Sequence, residues 1–248
     1  MERETVMNHG EITHGINANR VGFYAAICTT LLTIVTFGIA LLTPPISGPS
    51  CREDCIDYPY LDITSRFPRD YYWMYLAIVL TLSYVVLMVC IHTIAAKEQK
   101  IFSHIGLAFA IISAATLVVD YYIQISVIQP SLLNGETDGI ALLTQYNPHG
   151  IFIALEELGY LIMSVSFLFV AFSFSGASRL EKAIRWVFAG GFVLTLVSFI
   201  VIDISYGTER EYTFEIVVIS INWLVLIVGS ILLSRVFRSL PQRRADAL

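Results

Sequence analysis

Six long apolar runs decide what this chain can fold into. They are Val21–Thr43, Tyr71–Ala95, Ser103–Ile128, Gly150–Phe174, Ala183–Tyr206 and Phe214–Val236. A helix rises ~1.5 Å per residue, so runs of about 22–26 residues cross a ~30 Å hydrocarbon core with some tilt. Charged residues make up only 14% of the chain, where a soluble domain carries about a quarter. The expected fold is all-α: a polytopic membrane protein with six transmembrane helices. The first run is too long for the apolar region of a signal peptide and reads as a retained span.

Basic residues set the expected orientation. Of 15 lysines and arginines, all but Arg52, Arg66, Arg69 and Arg210 fall on one side of the six runs. That side is expected to be cytoplasmic, with both termini on it, in the cell membrane. The chain then divides into a cytoplasmic tail 1–20, a transmembrane domain 21–236 and a cytoplasmic tail 237–248. The domain's longer outer connections are 44–70 and 129–148. These and the 207–215 region are acidic, with Asp70 and Glu215 among the acids. Such charge attracts cations or simply keeps a surface soluble. The formal charge of −5 carries no signal for nucleic acid. Cys51 and Cys55 share an outer loop and read as a disulfide pair in an oxidising compartment.

Several membrane chemistries are excluded by what the spans lack. The lysines, Lys97, Lys100 and Lys182, all sit in short loops, so no span offers one for a Schiff base. No deep histidine pair is available for haem; His92 and His104 flank one inner loop. No HExxH or nucleotide-binding glycine motif occurs. The adjacent glutamates Glu156-Glu157 lack the rest of the EExxxR pattern of intramembrane CAAX-type proteases, since Leu161 stands at the arginine position. No metal and no cofactor is expected. Gly190-Gly191 reads as a close helix–helix contact.

The carboxylates inside the spans are the informative residues. Asp120 falls in the outer third of the third span, and Glu156 and Glu157 lie roughly 10 Å down the fourth. Asn222 lies about 12–14 Å down the sixth. Intramembrane acids almost always face the bundle interior or a wet cavity. Helical spacing puts Gln124 on the face of Asp120, with Tyr121 beside it, and aligns His149, Glu156, Tyr160 and Ser164. Glu157 points about 100° away from Glu156. The expected candidate set is Asp120, Tyr121, Gln124, His149, Glu156, Glu157, Tyr160 and Asn222, around a polar pocket lined by spans three, four and six. With no basic partner inside the spans, these acids cannot all stay ionised. Each also has a plainer reading, as an interhelical hydrogen bond or an interfacial group. Asp203 reads as interfacial, and Trp73 and Trp223 read as aromatic-belt residues.

In the 129–148 connection, Pro130 is expected to end or bend the third span. Asn147 and Pro148 read as the N-cap and first turn of the fourth helix. The apolar segment Ile140–Tyr146 is either an interfacial loop or a lid over the pocket. Function is expected to be binding or conduction of a proton, a cation or a small amphipathic ligand, by a transporter or sensor. One alternative is an enzyme using Asp120 and Glu156 as acid and base on a lipid or isoprenoid, with Tyr121 or Tyr160 polarising the substrate. Another is a structural or partner-binding membrane subunit. Membrane lipid is the expected surrounding, and the sequence leaves the oligomeric state open.

Overall fold

The structure, a computed structural model, describes residues 18–43, 46–48, 51 and 53–240. The tail expectations for residues 1–17 and 241–248 lie outside these residues. Among the described residues the chain is helical throughout, without strands. The six runs form α1 (Ala18–Leu41), α2 (Tyr72–Ile94), α3 (Lys100–Ile123), α4 (Ile151–Phe172), α5 (Arg179–Tyr206) and α6 (Tyr212–Ser239). All six are long and apolar enough to cross a membrane.

Each helix packs against its neighbours in sequence, and α6 returns to α1, closing a ring. Helix α4 also meets α6 and so stands closest to the interior. Large apolar side chains such as Leu31, Val79, Ile111, Leu194 and Leu224 remain exposed around the ring. A soluble protein would bury such a belt, whereas lipid solvates it. Helix α5 is the most peripheral. Its buried residues Ile184, Phe188, Gly191, Thr195 and Ile202 form one narrow stripe.

Polar atoms tie the helices where the apolar effect cannot. Hydrophobic burial does not drive association between helices that lipid already solvates, so close packing and hydrogen bonds must. Ser113 Oγ donates to the Gly159 carbonyl at 2.7 Å, and Ser166 Oγ to the Gly106 carbonyl at 2.7 Å, across the α3–α4 seam. At Gly159 a Cβ would stand 2.5 Å from Leu117, so glycine is what allows this approach. Of the pair Gly190-Gly191, only Gly191 makes the expected close contact, against Val225 of α6; Gly190 faces open space.

The start of α4 differs from expectation, and the end of α3 takes the second of the two courses expected at Pro130, a distortion rather than a stop. Helix α3 does not stop at Pro130. It widens into a π turn, Gln124–Ile128, and continues as Gln129–Leu133. Proline has no N–H for the carbonyl four residues earlier, and a widened turn accommodates that defect. Helix α4 begins at Ile151 with Gly150 as N-cap, not at Pro148. Asn147 instead accepts from the His149 N–H and donates to the Ala141 carbonyl, closing a turn inside the connection. Between α4 and α5, Ser178 caps α5 by accepting from the Glu181 N–H. Glu181 reaches back to the Gly176 N–H at 2.9 Å, so this short turn is tightly satisfied.

Both long connections and the α5–α6 turn gather at one end of the bundle, the loop-rich face. There the Cys51–Cys55 disulfide closes a small loop. The segment Ile140–Leu143 is a short helix, and Ile140, Thr144 and Tyr146 are buried. The connection therefore folds down onto the helix ends. Ser47 pins it, donating to the Tyr146 carbonyl at 2.5 Å and pairing with the Tyr212 hydroxyl at 2.7 Å.

A carboxyl pair in an aromatic cavity

A cavity of about 280 Å³ lies beneath this folded connection. Its walls come from α1, α2, α4 and α6, with Gln145 and Tyr146 above. It reaches down to Trp223, some eleven residues into α6, or about 16 Å by helical rise. Phe37, Trp73, Phe152 and Trp223 make the wall largely aromatic, and Asp70, Glu156 and Glu215 supply carboxyls. Among the described residues, no lysine, arginine or histidine lines it. Leu41 and Ile216 line the cavity yet are 69% and 45% exposed, so it meets the outer surface of the bundle between α1 and α6.

Glu156 is the centre of a directional hydrogen-bond chain. An indole N–H only donates, and each phenol has a single proton, which Tyr121 gives to Glu156. Trp223 Nε1 donates to Tyr160 Oη at 2.9 Å. Tyr160 must then donate to Tyr121 Oη, 3.0 Å away, and Tyr121 donates to Glu156 Oε1 at 2.5 Å. Three helices thus converge on one carboxylate oxygen. The other oxygen, Oε2, has no hydrogen-bond donor, although Glu156 is fully buried. Glu215, in the first turn of α6, lies within hydrogen-bonding reach of Glu156. Two carboxyls so placed need either a shared proton or a cation between them. Among the described residues neither has an ion-pair partner.

Glu215 was not legible as a site residue, because it sits where a span begins and reads as one more loop acid. Its signal is the spacing Glu215, Ile219, Trp223, one face of α6, and all three line the cavity. Trp223 and Trp73 belong to the cavity rather than to an interfacial belt. Their rings pack edge to face at 6.4 Å, and Trp73 meets Tyr121 in the same way at 5.3 Å. Asp70, also grouped with the loop acids, is buried; it pairs with Arg69 at 2.6 Å and accepts from the Tyr146 hydroxyl at 3.3 Å.

The remaining expected residues are dispersed. Glu157 turns away from the cavity and pairs with Arg210 at 2.7 Å, a base that arrives from the α5–α6 turn. The same guanidinium reaches Asp203 at 3.4 Å and lies over the Phe199 and Phe214 rings. No basic partner was expected inside the spans; the one Glu157 receives comes from the turn between two of them. His149 is exposed and does not line the cavity. Asp120 is buried beside the tyrosine chain, with Oδ2 unpartnered, but it is not a wall residue. Asn222 is buried behind the wall and donates to the Val218 carbonyl of its own helix. Gln124 serves the connection: it donates to the Leu143 carbonyl at 2.6 Å and accepts from the Gln145 N–H at 2.9 Å. The cavity therefore has α4 and α6 in its wall as expected, with α1 and α2 beside them, while α3 stands just behind Glu156 through Tyr121.

Tyr146 closes the upper wall. Burial, and then the neighbouring Tyr71 and Asp70, push its phenol well above the usual range, so it stays a neutral donor. Among the described residues no group of three or more His, Cys, Asp and Glu side chains is arranged to hold a metal ion. No protein-family model, curated protein or solved structure matches this chain.

Proposed function

We propose that this is a membrane transporter or sensor whose site is the Glu156–Glu215 pair, where a proton exchanges with a cation or a small amphipathic ligand. One observation carries the reading. Glu156 is fully buried, borders a cavity, has Tyr121 on one oxygen, and meets a second carboxyl, Glu215, with no base beside either among the described residues. Two adjacent buried carboxyls require a proton or a cation between them, and the cavity they both line gives one access.

The loop-rich face is read as the outer surface of the cell membrane, with both described helix ends opposite to it cytoplasmic. Support comes from the distribution of basic residues. The Cys51–Cys55 bond agrees, since disulfides persist in oxidising compartments. Single cysteines at Glu136→Cys and Lys97→Cys, in a Cys28→Ala/Cys90→Ala background, test this with an impermeant maleimide on intact cells. Labelling is expected at position 136 and absent at 97.

The functional reading is tested with the full chain in liposomes holding a pH-sensitive dye. A cation-driven pH change is expected, and Glu156→Gln abolishes it. Unchanged flux in that variant overturns the reading.

A further inference from the structure

The chemistry of the cavity wall narrows what the site takes. An inorganic divalent cation wants six or more oxygen ligands in a closed shell. This wall offers carboxyls on one side and aromatic rings on the others. Aromatic faces attract a cation that carries its own apolar surface, and the attraction grows when water is excluded. A carboxylate with an open oxygen supplies the charged acceptor for an N–H donor.

Resting on the proposed reading of the cavity as a ligand site, we infer that its ligand is a small lipophilic organic ammonium. The ammonium N–H groups meet the Glu156–Glu215 carboxyls, and the apolar part lies against Phe37, Trp73 and Trp223. The volume agrees with a small molecule. A ~150 Å³ apolar cavity accepts benzene, so about 280 Å³ takes a molecule up to about twice that size. The route agrees too. Leu41 and Ile216 border both cavity and bundle surface, so an amphipathic amine dissolved in the membrane enters between α1 and α6. Binding an ammonium displaces any proton shared by the two carboxyls, which leaves to water.

The two cavity tryptophans report on the site. The chain has three tryptophans, and the third, Trp186, is exposed on α5. In a Trp186→Phe background every indole signal therefore comes from the cavity wall. The purified full chain is titrated at pH 7 with three isosteric probes: 2-phenylethylamine, 2-phenylethanol and phenylacetate. Saturable quenching by the amine is expected, with the alcohol at least about tenfold weaker and the acid weaker still. Glu156→Gln and Glu215→Gln each reduce amine affinity about tenfold or more and leave the alcohol unchanged.

If the alcohol binds as well as the amine, the ammonium inference is overturned and the cavity remains a ligand site. Amine selectivity that survives in both glutamine variants overturns the role of the carboxyl pair. If no probe gives a saturable response, the reading of the cavity as a ligand site falls with it. The comparison among probes uses the unsubstituted carboxyls, so it stands even where a glutamine variant fails to fold.

Discussion

Tyr121 donates its hydroxyl to Glu156 Oε1 at 2.5 Å across the α3–α4 seam, and this bond decides which side of the carboxyl remains free. With Oε1 taken, only Oε2 is left for Glu215 or a ligand. The tyrosine is itself oriented from behind, by Tyr160 and Trp223. A chain of donors that ends on a carboxylate is worth more than its separate bonds, because each member fixes the direction of the next.

That coupling is measurable. Tyr121→Phe and Tyr160→Phe should each cost about 1–3 kcal/mol, since each leaves a buried partner unsatisfied. The double variant should cost less than the sum, with a coupling of about 0.5–3 kcal/mol. Unfolding in mixed micelles gives the four values of the cycle. Strict additivity would show that the three hydroxyl and indole groups do not act as one chain.

At Glu156 the two obvious replacements should behave differently. Glutamine keeps an oxygen for Tyr121 and relieves repulsion with Glu215, so stability should stay within ~1 kcal/mol of the parent. Alanine strands the Tyr121 hydroxyl and enlarges the cavity, so it should cost about 2–4 kcal/mol. Equal losses in the two variants would count against the free-oxygen geometry.

Among the described residues, Arg210 is the only base paired with an acid of α4. Arg210→Ala leaves Glu157 almost buried and uncompensated. The cost should be about 1–3 kcal/mol, below that of a fully buried pair because the arginine keeps part of its surface in water. Adding Glu157→Gln should recover most of the loss. Thermal unfolding of the single and double variants checks this.

Gln124 holds the connection by two hydrogen bonds and does not touch the carboxyl chain. Gln124→Leu should therefore raise amide exchange in residues 140–147 while the exchange of α3 and α4 is unchanged. Faster exchange throughout the bundle would show that Gln124 supports the helices instead.

Tyr146 makes the same connection sensitive to alkali. Its phenol holds its proton more tightly when folded than when unfolded. Its contribution is fully present below about pH 10 and declines as pH rises beyond that, because only the unfolded phenol then ionises. Amide exchange over 140–147 should rise between pH 9 and pH 11 relative to the intrinsic rate. Tyr146→Phe should flatten that dependence and lose the bond to Asp70 at every pH.

Much of the architecture could be read from the chain. An apolar run of this length has one low-energy form in lipid, so the six helices followed from hydropathy alone. Helical spacing also placed Glu156 and Tyr160 on one face of α4, and suggested Tyr121 as a neighbour at similar depth. What spacing could not supply was rotation about each helix axis. Asp120 and Tyr121 are adjacent at the same depth, yet only Tyr121 reaches Glu156 with a hydrogen bond. The same uncertainty made Asn222 look like a cavity residue and Trp223 like a belt residue, one position apart on α6.

Residues at the helix ends show the limit most clearly. Asp70, Glu215 and Arg210 all read as loop charges, because charge near the end of a span is ordinarily solvated. Their burial depends on two connections folding back over the bundle and on Ser47 pinning them to Tyr146 and Tyr212. The sequence by itself determined how many long apolar helices there are, how far along its helix each polar group lies, and that buried acids require a partner. Only the tertiary structure decided which partner each acid received: Arg210 for Glu157, Glu215 and an open space for Glu156. The physical reason is that depth is a property of one helix, whereas pairing depends on the mutual rotation of several and on how the loops close above them.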